Sequence, residues 1–301
     1  MKNEKNVALN ITEKPVLKNN LKFQKVMSGI GIIPFFLFCF AFEIVPILIL
    51  IRDSFIDTNG AVSLANYTAL IKPIYMLSFW NSIKLSFLSA FLATVFGTII
   101  GYNILKTKTG WLRNLLLSLS NVTTNFAGAP LAFAFIIILG ANGVVTLFFL
   151  KILNIHLYPQ FQIYSYTGLL IAYTYFQLPL MILLIIPALA GLKKEWREAA
   201  VSYGASTWQY WRFIGLPLLF PSLIAGLVLL FANAYGAYAT AYTLTGSRLM
   251  LVTTQIAFVI TGEVLHDPSF AKAMATVSLV IMAMCIIIYR IAIGRSLGGK
   301  R

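Results

Sequence analysis

Long apolar stretches separated by short polar segments dominate the chain. A helix needs about 20 apolar residues to cross a hydrocarbon core of about 30 Å, and six stretches meet that length. The predicted spans are residues 29–51, 82–105, 114–140, 167–191, 217–245 and 269–291. This pattern predicts an all-α membrane protein with six transmembrane helices, and its two ends then lie on the same side of the membrane.

Two further apolar stretches are too short to be spans on the same criterion. Residues 144–155 are interrupted by Lys151, and residues 249–262 form a similarly short run. Neither is long enough to cross a bilayer. We predict that they form surface helices or re-entrant segments packed at the outer surface.

The distribution of basic residues predicts the orientation of the spans. With six spans and both ends inside, 17 of the 23 Lys and Arg residues fall on the cytoplasmic side and 6 on the outer side. Cytoplasmic segments of membrane proteins carry such an excess of Lys and Arg. Counting 144–155 alone as a span would place the basic loop before the fifth span outside, against this bias. Both termini are therefore predicted to be cytoplasmic.

The composition excludes an ordinary soluble domain, because 59% of the residues are hydrophobic and 11% are charged. The net charge of +14 would favour nucleic-acid binding in a soluble protein. Here the excess lies in the cytoplasmic segments, so no nucleic-acid partner is predicted. The predicted organisation is a cytoplasmic tail at 1–28, a transmembrane domain at 29–291 and a second cytoplasmic tail at 292–301. The first span lacks a cleavage site after it and is expected to be retained.

The longest polar interruption between the later spans reads EAAVSYGASTWQYWRFIGLP, from Glu198 to Pro217. Its first residues favour helix, Gly204 allows a turn at little steric cost, and Ser206 with Gln209 has the spacing of a capping box. Pro217 is compatible with the first turn of the next helix. The sequence therefore predicts a helix, a bend and a second short helix in a cytoplasmic coupling loop at residues 192–216.

The same segment resembles the EAA loop of permease subunits of type I binding-protein-dependent ABC importers. The match runs without a gap over Glu198, Ala199, Ala200, Gly204, Ile214, Leu216 and Pro217. The resemblance implies the MetI-like permease fold, and it implies that this loop docks into a groove of a cytoplasmic ATPase subunit. In that scheme Arg197 and Glu198 engage the groove, Gly204 sets the angle between the two coupling helices, and Pro217 fixes the start of the fifth span.

The resemblance also implies the partners. They are a second permease subunit, expected to be a paralogue in a heterodimer or the same chain in a homodimer, two cytoplasmic ATPase subunits, and an extracellular or periplasmic solute-binding protein. No Walker-type glycine loop occurs in the sequence. The chain is therefore expected to be no enzyme and to carry no cofactor, while the partner ATPase binds ATP and Mg²⁺. The implied location is the bacterial cytoplasmic (inner) membrane, with multiple passes in contact with membrane lipid.

Further residues resemble the polyamine-type branch of these permeases. They are Pro46, Ser54-Phe55, Asn66-Tyr67, Asn81-Ser82, Leu178-Pro179 and the segment FANAYGAYATAYTLTG that begins at Phe231. Tyrosines suit cation–π contact with amines, and the best prediction for the solute is a polyamine. Importers of iron(III), phosphonate and related small charged solutes share the loop and much of this pattern, so those solutes remain alternatives.

Polar side chains inside spans are costly and are candidates for lining a solute pathway. The candidates are Asn121, Thr124, Asn125, Tyr173, Gln177, Asn233, Tyr235, Tyr238 and Glu43. The spacing of Tyr235, Tyr238 and Tyr242 would place all three on one helix face. Two other interpretations stay open: the tyrosines could form an aromatic belt at the outer interface, and the asparagines could join helices through interhelical hydrogen bonds.

Glu43 is the one acidic residue inside a predicted span. A charge at such a depth costs about 2.5 to 3.5 kcal/mol, so it could face an ammonium group in transit or pair with a neighbouring subunit. The two histidines lack metal-ligand spacing, and no metal site is predicted. A secondary transporter would need intramembrane acids or paired repeats, and a channel would need a filter or a charged ring. The sequence shows Glu43 as the one intramembrane acid, with no repeat, no filter and no charged ring.

Overall fold

A computed structural model describes the backbone of residues 32–57, 60–262 and 267–298 and the side chains as far as residue 291. The described residues are helical throughout, apart from turns, short connections and one isolated β-bridge between Ile56 and Val62. In chain order the helices are α1 (Ile33–Ser54), α2 (Ala65–Ala69), α3 (Pro73–Lys106), α4 (Gly110–Thr124), α5 (Ala129–Leu139), α6 (Val144–Leu153), α7 (Tyr166–Ala190), α8 (Lys194–Ser202), α9 (Thr207–Tyr210), α10 (Leu216–Tyr235), α11 (Tyr238–Thr245), α12 (Val252–Thr261) and α13 (Pro268–Gly298).

Six helical segments in the described part of the chain are long and apolar enough to cross a membrane. They are Ile33–Ser54, Pro73–Lys106, Ala129–Leu153, Tyr166–Ala190, Thr207–Tyr235 and Pro268–Ile291. The predicted number of spans and the all-α class are confirmed. The predicted tail at 1–28 lies outside the described residues, and α13 continues as helix to Gly298, into the predicted tail at 292–301.

The described residues up to Asp53 and those from Ser54 onward form two compact units. In the first unit, α1 begins with Pro34 in its first turn, where the missing N–H of proline costs nothing. A π-helical turn at Phe40–Ile44 interrupts it and contains Glu43.

Three helices of the second unit, α3, α7 and α10, pack against one another and form its centre. Met181 of α7 lies between Gly97 of α3 and Gly226 of α10. A Cβ added at Gly97 would lie 2.8 Å from Met181 Cβ, and one at Gly226 would lie 2.7 Å from Met181 Sδ. Small residues at membrane helix interfaces allow this close approach of backbones.

This packing predicts that Gly97→Val destabilises the protein. The valine side chain would overlap Met181 and the nearby Leu178 carbonyl, and overpacking of this kind costs about 1 to 3 kcal/mol. The measurement is the thermal unfolding midpoint of the purified chain in detergent. Gly110→Val is the matched control, since a Cβ there meets nothing within 4 Å. Equal midpoints for both variants would show that the helices do not pack as described.

Two spans that the sequence predicts as continuous helices are each divided into two helices. The predicted span 114–140 divides into α4 and α5 around residues 125–128, and the predicted span 217–245 divides into α10 and α11 at Gly236 and Ala237. The corresponding candidate spans are Ala129–Leu153 and Thr207–Tyr235, so α4 and α11 lie outside them. Gly128, with φ 76° and ψ −149°, ends the first break in a conformation that only glycine adopts readily. Uninterrupted hydrophobicity predicts the length of an apolar segment but does not reveal a break whose backbone groups are satisfied by other helices.

The stretch 144–155 was predicted to lie outside the spans, and its helix α6 is instead part of the 25-residue candidate span Ala129–Leu153. A turn at residues 140–143 separates α5 from α6, and Gly140 and Gly143 leave no room there for a Cβ beside backbone atoms. Each helix alone is too short to cross a bilayer, whereas the pair has sufficient length. The stretch 249–262 forms α12, a ten-residue apolar helix packed on α13.

Residues that carried the polyamine-type resemblance join segments distant in sequence. Asn66 donates hydrogen bonds from Nδ2 to the carbonyl oxygens of Ser54 and Ile56, at 3.1 and 3.0 Å. Asn81 donates to the carbonyl of Leu249 at 3.0 Å. These side chains therefore hold the connections before α2 and before α12 in place.

Candidate functional site

The predicted coupling loop forms the helix, bend and second helix that its sequence indicates. Helix α8 ends in a Schellman motif: the Ala205 N–H donates to the Ala200 carbonyl at 3.0 Å, and the Gly204 N–H donates to the Val201 carbonyl at 2.9 Å. Gly204 has φ +77°, in the left-handed region. Gly204 therefore sets the turn between the two short helices, α8 and α9.

The capping box predicted at Ser206 is present. The Gln209 N–H donates to Ser206 Oγ at 3.2 Å, and the Ser206 N–H donates to Gln209 Oε1 at 2.7 Å. The second short helix then runs through a π-helical segment, Trp211–Gly215, directly into α10. Pro217 lies in the first turn of α10. The second arm of the coupling loop and the following span thus form one helical segment, Thr207–Tyr235.

The surface of the coupling loop is exposed and carries both charged and apolar side chains. Tyr203 is 92% exposed, Trp208 69% and Phe213 67%. Glu198 forms an ion pair with Lys194 at 2.8 Å, one helical turn away. This hydrogen bond to the Glu198 carboxylate raises the pKa of Lys194. Such an exposed apolar patch rimmed by charges is typical of a protein interaction site.

A cavity of about 310 Å³ opens between the two arms of the loop. Ala200, Gly204 and Ile214, three of the residues of the EAA pattern, line it. Arg197 and Ala199 lie on the exposed surface of α8, while Leu216 and Pro217 are exposed at the start of α10. All predicted coupling residues thus lie on the surface of the coupling loop or at the start of α10.

Trp211 joins the coupling loop to the packed helices. Its ring meets the ring of Tyr102 on α3 edge to face, with centroids 5.1 Å apart, and Lys106 lies 4.3 Å above the Tyr102 ring. A Cβ at Gly215 would lie 2.6 Å from the Trp211 ring, so the ring lies flat on the backbone one turn later. Sequence reasoning assigned no role to Trp211, because its partner lies more than a hundred residues earlier in the chain.

A second cavity, of about 550 Å³, lies where the two broken spans meet, and we call it the interhelical cavity. Three predicted pathway residues line it: Thr124 at the end of α4, Asn233 near the end of α10 and Tyr238 at the start of α11. Phe176 of α7 and Met282 of α13 complete its apolar wall. No charged side chain is among its described lining residues, so the cavity is neutral and presents amide, hydroxyl and aromatic groups.

The remaining predicted pathway residues lie elsewhere. Asn121 and Asn125 are exposed, and Asn125 donates to the Asn121 carbonyl within its own helix at 3.2 Å, instead of joining two helices. Tyr235 is buried, and its hydroxyl lies 3.5 Å from Ser278 Oγ.

The break at Gly236 corrects the predicted common face of three tyrosines. It separates buried Tyr235 from exposed Tyr238 and Tyr242, whose rings stack with centroids 5.3 Å apart. The i, i+3, i+7 spacing holds only within one continuous helix. In this chain the helix ends between the first and second tyrosine.

Tyr173 and Gln177 do not line the interhelical cavity, but they form buried hydrogen bonds beside it. The Tyr173 hydroxyl donates to the carbonyl of Ala237, at the break before α11. Gln177 donates from Nε2 to Ser89 Oγ of α3 at 2.8 Å and to the Tyr173 carbonyl at 3.1 Å. These bonds link α3, α7 and the break in one buried chain.

The described side chains form no candidate metal site. They contain no group of three His, Cys, Asp or Glu side chains arranged to hold a metal ion. Cys39 and Cys285 are free thiols. Glu43 belongs to the first unit, on the π-helical turn of α1.

Most of the chain matches the model of one known protein family. Residues 93–295 match the family described as binding-protein-dependent transport system inner membrane component. The chain belongs to this family. It is a permease of an ABC importer with the MetI-like fold, and the sequence-based prediction of that class is confirmed.

Two kinds of curated relatives are similar to this permease. The spermidine/putrescine transport system permease protein PotB of Haemophilus influenzae is 28% identical over 278 residues, covering 90% of this chain and 94% of that protein. The sulfate transport system permease protein CysT of Escherichia coli is 25% identical over 262 residues, covering 85% and 89%.

Solved structures with the same fold include a bacterial ABC transporter involved in the import of the acidic polysaccharide alginate. One of its chains superimposes with a TM-score of 0.71 at 14% identity, covering 95% of this permease and 99% of that chain. A bacterial alginate ABC transporter in complex with an alginate pentasaccharide-bound periplasmic protein gives a TM-score of 0.69 at 15% identity, covering 91% of this permease and 94% of that chain. At this level of identity the similarity shows the fold.

Proposed function

We propose that this permease imports a polyamine across the cytoplasmic membrane, driven by ATPase subunits that dock on the coupling loop. Two such ATPases bind ATP and Mg²⁺ at the cytoplasmic face, a second permease subunit completes the membrane unit as a paralogue or a second copy, and an external binding protein delivers the solute. Closure of the ATPase pair moves the coupling loop and turns the spans from inward-facing to outward-facing. Hydrolysis resets the state.

The observation that supports the driving mechanism is the rigid link between the exposed loop and the spans. Residues 207–235 form one uninterrupted helical segment, so a displacement of the loop is transmitted directly into α10. Trp211 extends the same link to α3. The predicted roles of Arg197 and Glu198 in contacting the ATPase agree with their exposure on α8.

The polyamine assignment is supported by the PotB relatives and by the chemistry of the interhelical cavity. Tyr238 presents an aromatic face stacked on Tyr242, and amines bind over such faces by cation–π contact. Thr124 and Asn233 add hydroxyl and amide oxygens that accept hydrogen bonds from ammonium groups. Sulfate is the second candidate, because the CysT relatives are similar at nearly the same identity.

The test is solute uptake by the complete complex in proteoliposomes. The permease is reconstituted with the ATPase, second permease and binding protein encoded beside it, and ATP-dependent uptake of labelled spermidine, putrescine and sulfate is measured. We expect polyamine uptake that needs both ATP and the binding protein. Sulfate uptake without polyamine uptake would overturn the solute assignment, and ATP-independent uptake would overturn the driving mechanism.

A further inference from the structure

The side chain of Thr240, on α11, forms hydrogen bonds with the backbone at the start of α5. The Gly128 N–H, at the start of α5, donates to Thr240 Oγ1 at 3.0 Å. The Thr240 hydroxyl also lies 3.3 Å from the Gly128 carbonyl, to which it donates. Thr240 Oγ1 thus accepts from the Gly128 N–H and gives the Gly128 carbonyl a second donor, beside the Ala132 N–H that donates to this carbonyl at 3.1 Å.

The bond from the Gly128 N–H matters because a backbone donor left without a partner away from water destabilises the conformation that holds it. Thr240 is 2% exposed, and both residues line the interhelical cavity. The backbones also approach closely, since a Cβ at Gly128 would lie 3.6 Å from the Cβ of Ala239. The start of α5 is therefore held against the start of α11 by contact as well as by hydrogen bonds.

Helices α5 and α11 are alike in their connections to the rest of the chain. Each begins at a break beside the interhelical cavity, and each ends at a glycine, Gly140 for α5 and Gly246 for α11. Gly246 has φ +56°. The two short helices pack on each other, while non-helical residues at both ends separate them from the neighbouring helices.

We propose that Thr240 is a positioning residue that makes α5 and α11 move as one piece, so that the two breaks beside the interhelical cavity change together during transport. The proposal rests on the transport function proposed above. The Tyr173 hydroxyl bond to the Ala237 carbonyl connects this piece to α7. A movement of α7 relative to α10 would thus displace α11 and, with it, α5.

The first test removes the hydroxyl and keeps the side-chain shape. Thr240→Val has no donor or acceptor for Gly128, whereas Thr240→Ser retains both. In the reconstituted complex we expect Thr240→Val to keep its ATPase subunits and its stimulation by the binding protein, but to import about tenfold less solute per ATP hydrolysed. Thr240→Ser should import as the wild type does. A wild-type ratio of import to hydrolysis in Thr240→Val would overturn the proposal.

The second test measures the movement itself with spin labels. Phe133 of α5 and Tyr242 of α11 line a common cavity, and Phe220 is an exposed reference position on α10. Labels are placed in pairs on these positions after Cys39 and Cys285 are replaced by alanine, and distances are compared between nucleotide-free and vanadate-trapped complexes.

We expect the distance from Phe133 to Tyr242 to stay constant in the wild-type sequence while the distance from Phe133 to Phe220 changes. In Thr240→Val the first distance should also change. A change in the first distance without the substitution, or no change in either, would refute joint movement. If the labelled complex imports solute, such a result leaves the proposed function intact, whereas a complex that hydrolyses ATP and imports nothing contradicts the proposed function.

Discussion

Replacing Gly204 with valine is expected to lower solute uptake by the assembled importer and its stimulated ATP hydrolysis by about 5- to 30-fold. Gly204 adopts φ +77° and closes the Schellman motif that turns α8 toward α9. A β-branched residue in the left-handed region costs about 1 to 2 kcal/mol or more. A change of that size shifts the population of the bent conformation by a factor of about 5 to 30. The exposed surface proposed to meet the ATPase would lose its shape.

The control uses the same position. Gly204→Asn should retain most activity, since asparagine tolerates the left-handed conformation, and a Cβ at Gly204 meets nothing within 4 Å. The measurement is ATP-dependent uptake together with ATPase stimulation by the loaded binding protein. Wild-type values for the valine variant, in a complex that still contains the ATPase, would show that the bend does not set the docking geometry.

Replacing Trp211 with alanine is expected to separate hydrolysis from uptake. The Trp211 ring fills the space between Tyr102 of α3 and the backbone at Gly215. Truncating a large aromatic side chain in a packed site costs about 3 to 5 kcal/mol, so the loop would keep its exposed surface but lose its attachment to α3. We expect the ATPase to remain bound and to hydrolyse ATP, while uptake per ATP falls by at least about tenfold.

Trp111→Ala is the matched control, because Trp111 of α4 is 73% exposed and lies outside the coupling loop. Trp211→Phe should recover part of the uptake, since a smaller ring still reaches Tyr102. Equal ratios of uptake to hydrolysis in Trp211→Ala and Trp111→Ala would exclude a transmitting role for this contact. Loss of the ATPase from the purified complex would assign Trp211 to docking instead.

The coupling loop could be predicted closely because its geometry depends on neighbouring residues. The glycine turn and the capping box each close hydrogen bonds within six residues, so local sequence contains all the partners. The interhelical cavity was predicted only in part. Thr124, Asn233 and Tyr238 line it, whereas Tyr235 is buried away from it because the helix breaks one residue later.

By itself the sequence determined the membrane class, the number of spans and the form of the coupling loop, since these follow from hydrophobic length and local turn chemistry. Only the tertiary structure decided where two spans break and what the breaks enclose. The bonds that satisfy them join Gly128 to Thr240 across 112 positions and Tyr173 to Ala237 across 64. A break is tolerated in a membrane only where such partners exist, and partners so distant in sequence meet only in the folded chain.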